Sequence, residues 1–245
     1  EIRSKSYTLK EFTEDVTAAF PELQLYAGSD TTSSSTSSGR SGEEEYQRTM
    51  CAMFSVFWLM RPHLDGTQSF CFGVGIDQWV ARQRPAKGSL PEEQENEWNK
   101  REKFFENAAW KSVTQLVVDA GCLHPHHETG KKGKPEYDED RTLAMLVLTA
   151  IHDIMKNKDL NPVVAKTAYR GVKVGETIHD HDMALSYVLE RHPNALPSFA
   201  GLKQDLRRSI AFTQSKMDFN MGWLVQGEAP PGALLRRFRE VVISG

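Results

Sequence analysis

The chain has 245 residues, 39% of them hydrophobic and 26% charged, with a formal net charge of −3. That length can build one sizeable core or a core with an appendage, and the near balance of charge removes any whole-chain reason to expect a nucleic-acid partner. Three cysteines (Cys51, Cys71 and Cys122) without framework spacing argue against a disulfide-stapled secreted domain and for a reducing, intracellular compartment.

The opening TLKE (8–11) fits a capping box, in which Thr8 caps the third helical amide and Glu11 reaches back, so a helix is expected to Ala19. GSDTTSSSTSSGRSG (28–42) is small and polar with nothing to bury, which predicts a disordered loop or linker. Helix resumes from Glu43 to about Met60; its apolar end, CAMFSVFWLM, is about half of the roughly 20 residues that cross a bilayer, so no transmembrane segment is expected. HLDGTQ (63–68) reads as a turn. SFCFGVGIDQWV (69–80), aromatic and β-branched but broken by glycines, is the one strand candidate.

Residues 89–121 form a helical block: Ser89 can cap it, Pro91 suits the first turn, and acids there complement the helix dipole. Trp98, Phe105, Trp110 and Val113 can share a face, and Gly121 ends the helix. A polar loop follows, then a helix from about Glu139 to Lys156. Further helices are expected near 181–191, near 198–226 and after Pro230-Pro231. The expected architecture is therefore mainly α: an N-terminal portion over 1–88 with the Ser-rich linker and a short strand, then a helical core over 89–245. The chain opens on Glu1 and closes on VVISG, which points to a domain of a longer protein whose other domains are candidate partners.

Seven of the eight histidines lie between positions 124 and 192, accompanied by Glu128, Asp153, Asp180 and Asp182. Neutral imidazole is a common transition-metal ligand, and neighbouring carboxylates complete mixed N/O sites that suit Zn, Mn, Fe or Mg. Against this stands a plain reading. A histidine near a helix C-terminus favours the dipole in any case, and Asp180 or Asp182 can simply cap the helix MALSYVLERH.

The segment AIHDIMK (150–156) resembles the signature of the HD-domain metal-dependent phosphohydrolases, a helical superfamily, and the resemblance spans about residues 120–225. It implies an HD-like helical bundle, a divalent metal ion (Mn, Mg, Zn or Fe) and hydrolysis of a nucleotide or another small phosphoester. On this reading His152 and Asp153 match the central pair and Lys156 the motif lysine. The upstream ligand falls among His124, His126 and His127. The last aspartate is Asp182 or, at a spacing closer to the family's, Asp218. His179 and His181 are candidates for a second metal. Lys156 and Arg170 are candidates to hold phosphate oxygens. HHETGKKGKP (126–135) resembles a motif of cyclic-dinucleotide phosphodiesterases, but precedes the His-Asp pair where that motif follows it. TAYRGVKVG (167–175) resembles the arginine motif of ADP-ribosyltransferases, yet neither Ser-x-Ser nor Glu-x-Glu follows. The non-enzyme alternative is a catalytically silent helical regulatory or protein-interaction domain.

Overall fold

The Thr8–Glu11 capping box forms: the Thr8 amide donates to Glu11 Oε2 at 2.7 Å and the Glu11 amide to Thr8 Oγ1 at 3.2 Å, opening helix α1 (Leu9–Ala19). The computed structural model describes residues 1–29, 36–61, 64, 66–75, 78–124, 127–128, 131–132 and 136–215. Among these the fold is mainly helical, and no helix is long and apolar enough to cross a membrane. The chain divides into two compact units, Glu1–Ala19 with Met50–Leu146 and Phe20–Thr49 with Val147–Gly245. Residue 88, the boundary expected from the sequence, lies inside the first unit.

Helix α2 (Gly42–Leu59) starts at a second capping box: the Glu44 amide donates to Ser41 Oγ at 3.2 Å and the Ser41 amide to Glu44 Oε2 at 2.8 Å. Its C-terminal half belongs to the first unit. There Phe57, fully buried, meets Phe12 at a centroid separation of 4.7 Å, and the Arg61 guanidinium lies 5.0 Å above the Phe57 ring. Arg61 is itself fully buried and donates to the carbonyls of Ile2 and Ser4.

The strand candidate at 69–80 is a helix followed by a short hairpin. Helix α3 (Gly66–Phe72) buries Gly66, Ser69 and Cys71. A β-carbon on Gly66 would stand 2.9 Å from the carbonyl oxygens of Trp58 and Arg61, so only glycine permits this approach. Gly73, at φ +75°, donates its amide to Ser69 O at 2.9 Å and stops the helix with a left-handed residue. Only then come β1 (Val74–Gly75) and β2 (Gln78–Ala81), paired antiparallel.

The 89–121 block splits into α4 (Glu92–Asn107) and α5 (Trp110–Asp119), and the side-chain cap expected from Ser89 is absent, the N-cap position falling on Pro91. Ala108 is extended, which strands carbonyls at the end of α4. The Trp110 indole N–H takes one of them, Phe105 O, at 2.8 Å, while its ring packs against Phe104, Phe105 and Phe70. The break thus folds one aromatic face back on itself. Beyond it, β3 (Leu123–His124) pairs with β6 (Glu136–Tyr137), and β4 (His127–Glu128) with β5 (Lys131–Lys132), both antiparallel. The segment expected to be a loop therefore carries two nested ladders. Helix α6 (Glu139–Ile151) follows, capped where the Arg141 amide donates to Asp138 Oδ1 at 2.8 Å.

In the second unit, α6 ends five residues earlier than the sequence suggested and tightens into a 3₁₀ turn at Ile154–Lys156, with Ile154 and Met155 buried. Helix α7 (His181–Arg191) matches its expected span, and buries Ala184 through Leu189. The long helix expected from 198 appears as α8 (Pro197–Ala200) and α9 (Gln204–Gln214), interrupted over Gly201, Leu202 and Lys203. The expected continuation past 215, the helix after Pro230-Pro231 and residues 30–35 of the serine linker lie outside the described residues. Thr36, within that linker, is buried and bridges to Asn157. Glu22, almost fully buried, accepts the Ser198 amide at 2.8 Å and so satisfies the first turn of α8.

Candidate functional site

The second unit gathers a polar cluster around His152, the residue that follows α6. His152 still donates its backbone N–H to Leu148 O at 2.9 Å, continuing the α-helical ladder by one residue. Asp153 then opens the 3₁₀ turn. Side chains three apart eclipse in a 3₁₀ turn, which sets Asp153 against Lys156; the ammonium lies 2.7 Å from Asp153 Oδ2. The same Nζ is 3.6 Å from Glu45 Oε2, in the first turns of α2. Lys156 is therefore held between two carboxylates, with 15% of its side chain exposed, rather than offered to a phosphate.

Helix α7 supplies the other side. Asp180 accepts the Met183 amide at 2.8 Å and is the N-cap. With the cap filled, Asp182 turns its carboxylate to the cluster: Oδ1 lies 3.9 Å from His152 Nδ1, and Oδ2 lies 3.7 Å from His181 Nε2. Gln214, 1% exposed, spans the gap from the last turn of α9. Its Nε2 donates to Asp182 Oδ1 at 3.1 Å, and its Oε1 meets His152 Nδ1 at 3.3 Å.

These contacts decide the state of the imidazole. An ionised carboxylate only accepts, so the amide must present its N–H to Asp182 and its oxygen to His152. Nδ1 of His152 is then the protonated nitrogen, and in a neutral ring Nε2 carries the lone pair. Nε2 faces Asp153 Oδ1 at 3.5 Å, and that oxygen is buried without a hydrogen-bond partner. Two acceptors thus face each other across a gap. Two donor atoms sharing one ion at about 2.1 Å and about 90–110° stand roughly 3.0–3.4 Å apart, close to this spacing. A buried acceptor with no partner costs on the order of 1–3 kcal/mol, so a cation or a second proton in the gap is favoured. The pair fits a metal ion in donor chemistry and spacing. Among the described residues, however, no group of three or more His, Cys, Asp or Glu converges on one point.

The remaining candidates separate. His124 belongs to the first unit, where its ring is 3.5 Å from Asp138 Oδ2 with 56% of the side chain exposed. His127 lies in β4 of that unit. His179 is exposed just ahead of α7. His126 and Asp218 lie outside the described residues. Arg170 occupies a tight turn: Tyr169 and Val172 exchange hydrogen bonds of 2.9 Å, with φ +45° at Arg170 and +93° at Gly171. Two consecutive positive φ values make a type I′ turn, which accounts for the Arg-Gly pair. Its guanidinium pairs with Glu190 at 3.1 Å, and Glu190 lies eight residues beyond Asp182 on α7, roughly 12 Å along the helix. Nearby, burial and Glu190 push the Tyr169 phenol up to about 12.

Sequence reading missed Glu45 and Gln214. Ser41-x-x-Glu44 is a legible capping box that fixes where α2 begins, and hence Glu45. Nothing local marked Gln214, whose role depends on α9 meeting α7. Compared with known proteins, the chain matches no family model, no curated protein and no solved structure.

Proposed function

We propose that the second unit carries a divalent-cation-dependent phosphoester hydrolase centre, built on His152 and Asp153 and acting on a nucleotide or another small phosphorylated molecule. The observation that supports it is the buried Asp153 Oδ1, which accepts no hydrogen bond, facing Nε2 of His152 at 3.5 Å. The resemblance of AIHDIMK to the HD-domain signature supplies the reaction class. The chemistry such an ion supplies is Lewis acidity, which activates water and offsets phosphoryl charge. This chain's own residues do the holding. Gln214 fixes the His152 tautomer, Lys156 anchors one oxygen of Asp153 so that the other faces inward, and Asp182 orients Gln214. Asp182 and Asp218 are the candidates for a further donor.

The test is elemental analysis of protein purified without chelator, with a panel of nucleotide and cyclic-nucleotide substrates. We expect stoichiometric metal and hydrolysis in the wild type, and neither in His152→Ala/Asp153→Ala. Metal that survives the double change overturns the proposal.

A second reading, an interaction module, has its own support in the first unit. Phe70, Phe104 and Val113 are 46%, 53% and 37% exposed beside an apolar cavity of about 280 Å³ lined also by Trp58 and Trp110. Metal-free, inactive wild-type protein would favour it.

A further inference from the structure

We propose that Glu45 and Lys156 form a charge clamp that sets the cation affinity of Asp153; the inference rests on the proposed function above. Glu45 is fully buried. Its Oε1 takes the Ser38 hydroxyl and the Arg40 guanidinium, the latter at 3.3 Å. Its Oε2 has no hydrogen bond and lies 3.6 Å from Lys156 Nζ. Lys156 in turn lies 2.7 Å from Asp153 Oδ2. A buried carboxylate is retained only against compensating charge, and here Arg40 and Lys156 balance Glu45 and Asp153.

The arrangement has a consequence for Asp153. A lone ammonium on Oδ2 would hold the carboxylate in place and also repel any cation arriving at Oδ1. Glu45 offsets the second effect while keeping the first, because its carboxylate pairs with the same ammonium at 3.6 Å. Lys156 and Glu45 are positioning residues on this account. They act through Asp153 and touch neither ion nor substrate.

The test is Mn²⁺ titration of the metal-stripped full chain by calorimetry, with circular dichroism to verify folding. Glu45→Gln leaves Lys156 uncompensated and is expected to weaken Mn²⁺ binding about tenfold, or about 1.4 kcal/mol. Glu45→Gln/Lys156→Met removes the uncompensated charge together with the anchor on Oδ2 and should bind about threefold more tightly than Glu45→Gln, a partial rescue that a merely structural role would not produce. Arg40 has 41% of its side chain exposed, so Arg40→Met keeps the experiment informative if the buried variant fails to fold. It frees Glu45 to hold Lys156 more tightly and should strengthen binding about two- to threefold. Unchanged affinity in Glu45→Gln and Arg40→Met, or a double variant no better than Glu45→Gln, overturns the clamp while leaving the metal site standing. Absence of Mn²⁺ binding in the wild type overturns both.

Discussion

Replacing Gln214 with Leu tests the reasoning about the His152 tautomer most directly. The amide is 1% exposed and makes one hydrogen bond of 3.1 Å to a carboxylate and one of 3.3 Å to the imidazole. A bond to a charged group contributes about 1.5–3 kcal/mol and a neutral one about 1 kcal/mol. Asp182 keeps 30% of its side chain exposed, so water recovers part of the first. Leucine also keeps most of the buried apolar volume. The expected net loss is about 2 kcal/mol, or roughly 4–8 °C in Tm. Urea unfolding followed by far-UV circular dichroism measures the loss, and ¹⁵N-resolved NMR of the imidazole reads the tautomer. In the wild type we expect the proton on Nδ1; in Gln214→Leu that preference should weaken. A loss below about 0.5 kcal/mol, or a wild-type ring with its proton on Nε2 alone, would refute the chain of inference from Asp182 through Gln214 to His152.

The Arg141 amide, with His124 adding to it, holds the Asp138 carboxyl below its ordinary range. A folded value below the unfolded one means the cap stabilises above the unfolded carboxylate pKa of about 3.9 and is lost as pH falls through the lower folded value; Asp138→Ala should flatten that part of a stability profile taken from pH 6 to pH 2. Arg170→Val forces a β-branched side chain into φ +45° and should cost about 1–2 kcal/mol by thermal denaturation, whereas Arg170→Asn should cost little. Gly66→Ala places a methyl 2.9 Å from two backbone carbonyl oxygens and should destabilise the first unit by about 1–3 kcal/mol in urea; an alanine variant as stable as wild type would refute the close approach.

Much of the helical content was legible because it is coded locally. The Thr8–Glu11 box starts α1, and Asp180 followed by an apolar-periodic run marks α7 to the residue. Where the sequence misled, a non-local contact outweighed composition. SFCF looks like strand by residue type, but Gly66 lets the preceding carbonyls approach and Gly73 ends the turn in a left-handed conformation, making it a helix. The 89–121 block reads as one helix until Trp110 turns back to the Phe105 carbonyl.

The candidate site divides the same way. His152, Asp153, His181 and Asp182 were identifiable as residues, since adjacent imidazoles and carboxylates are visible in any linear reading. Which of them act together was decided by the tertiary structure. Asp180 spends its carboxylate on a helix cap and Asp182 does not, Lys156 is taken up by two carboxylates, and Gln214 arrives from 62 positions away to orient the ring. By itself the sequence determined the mainly helical class and the residue types of a possible cation site, because turn periodicity and capping act over three or four residues. Only the fold decided which nitrogen faces which oxygen, because that depends on distances between segments that no local interaction sets.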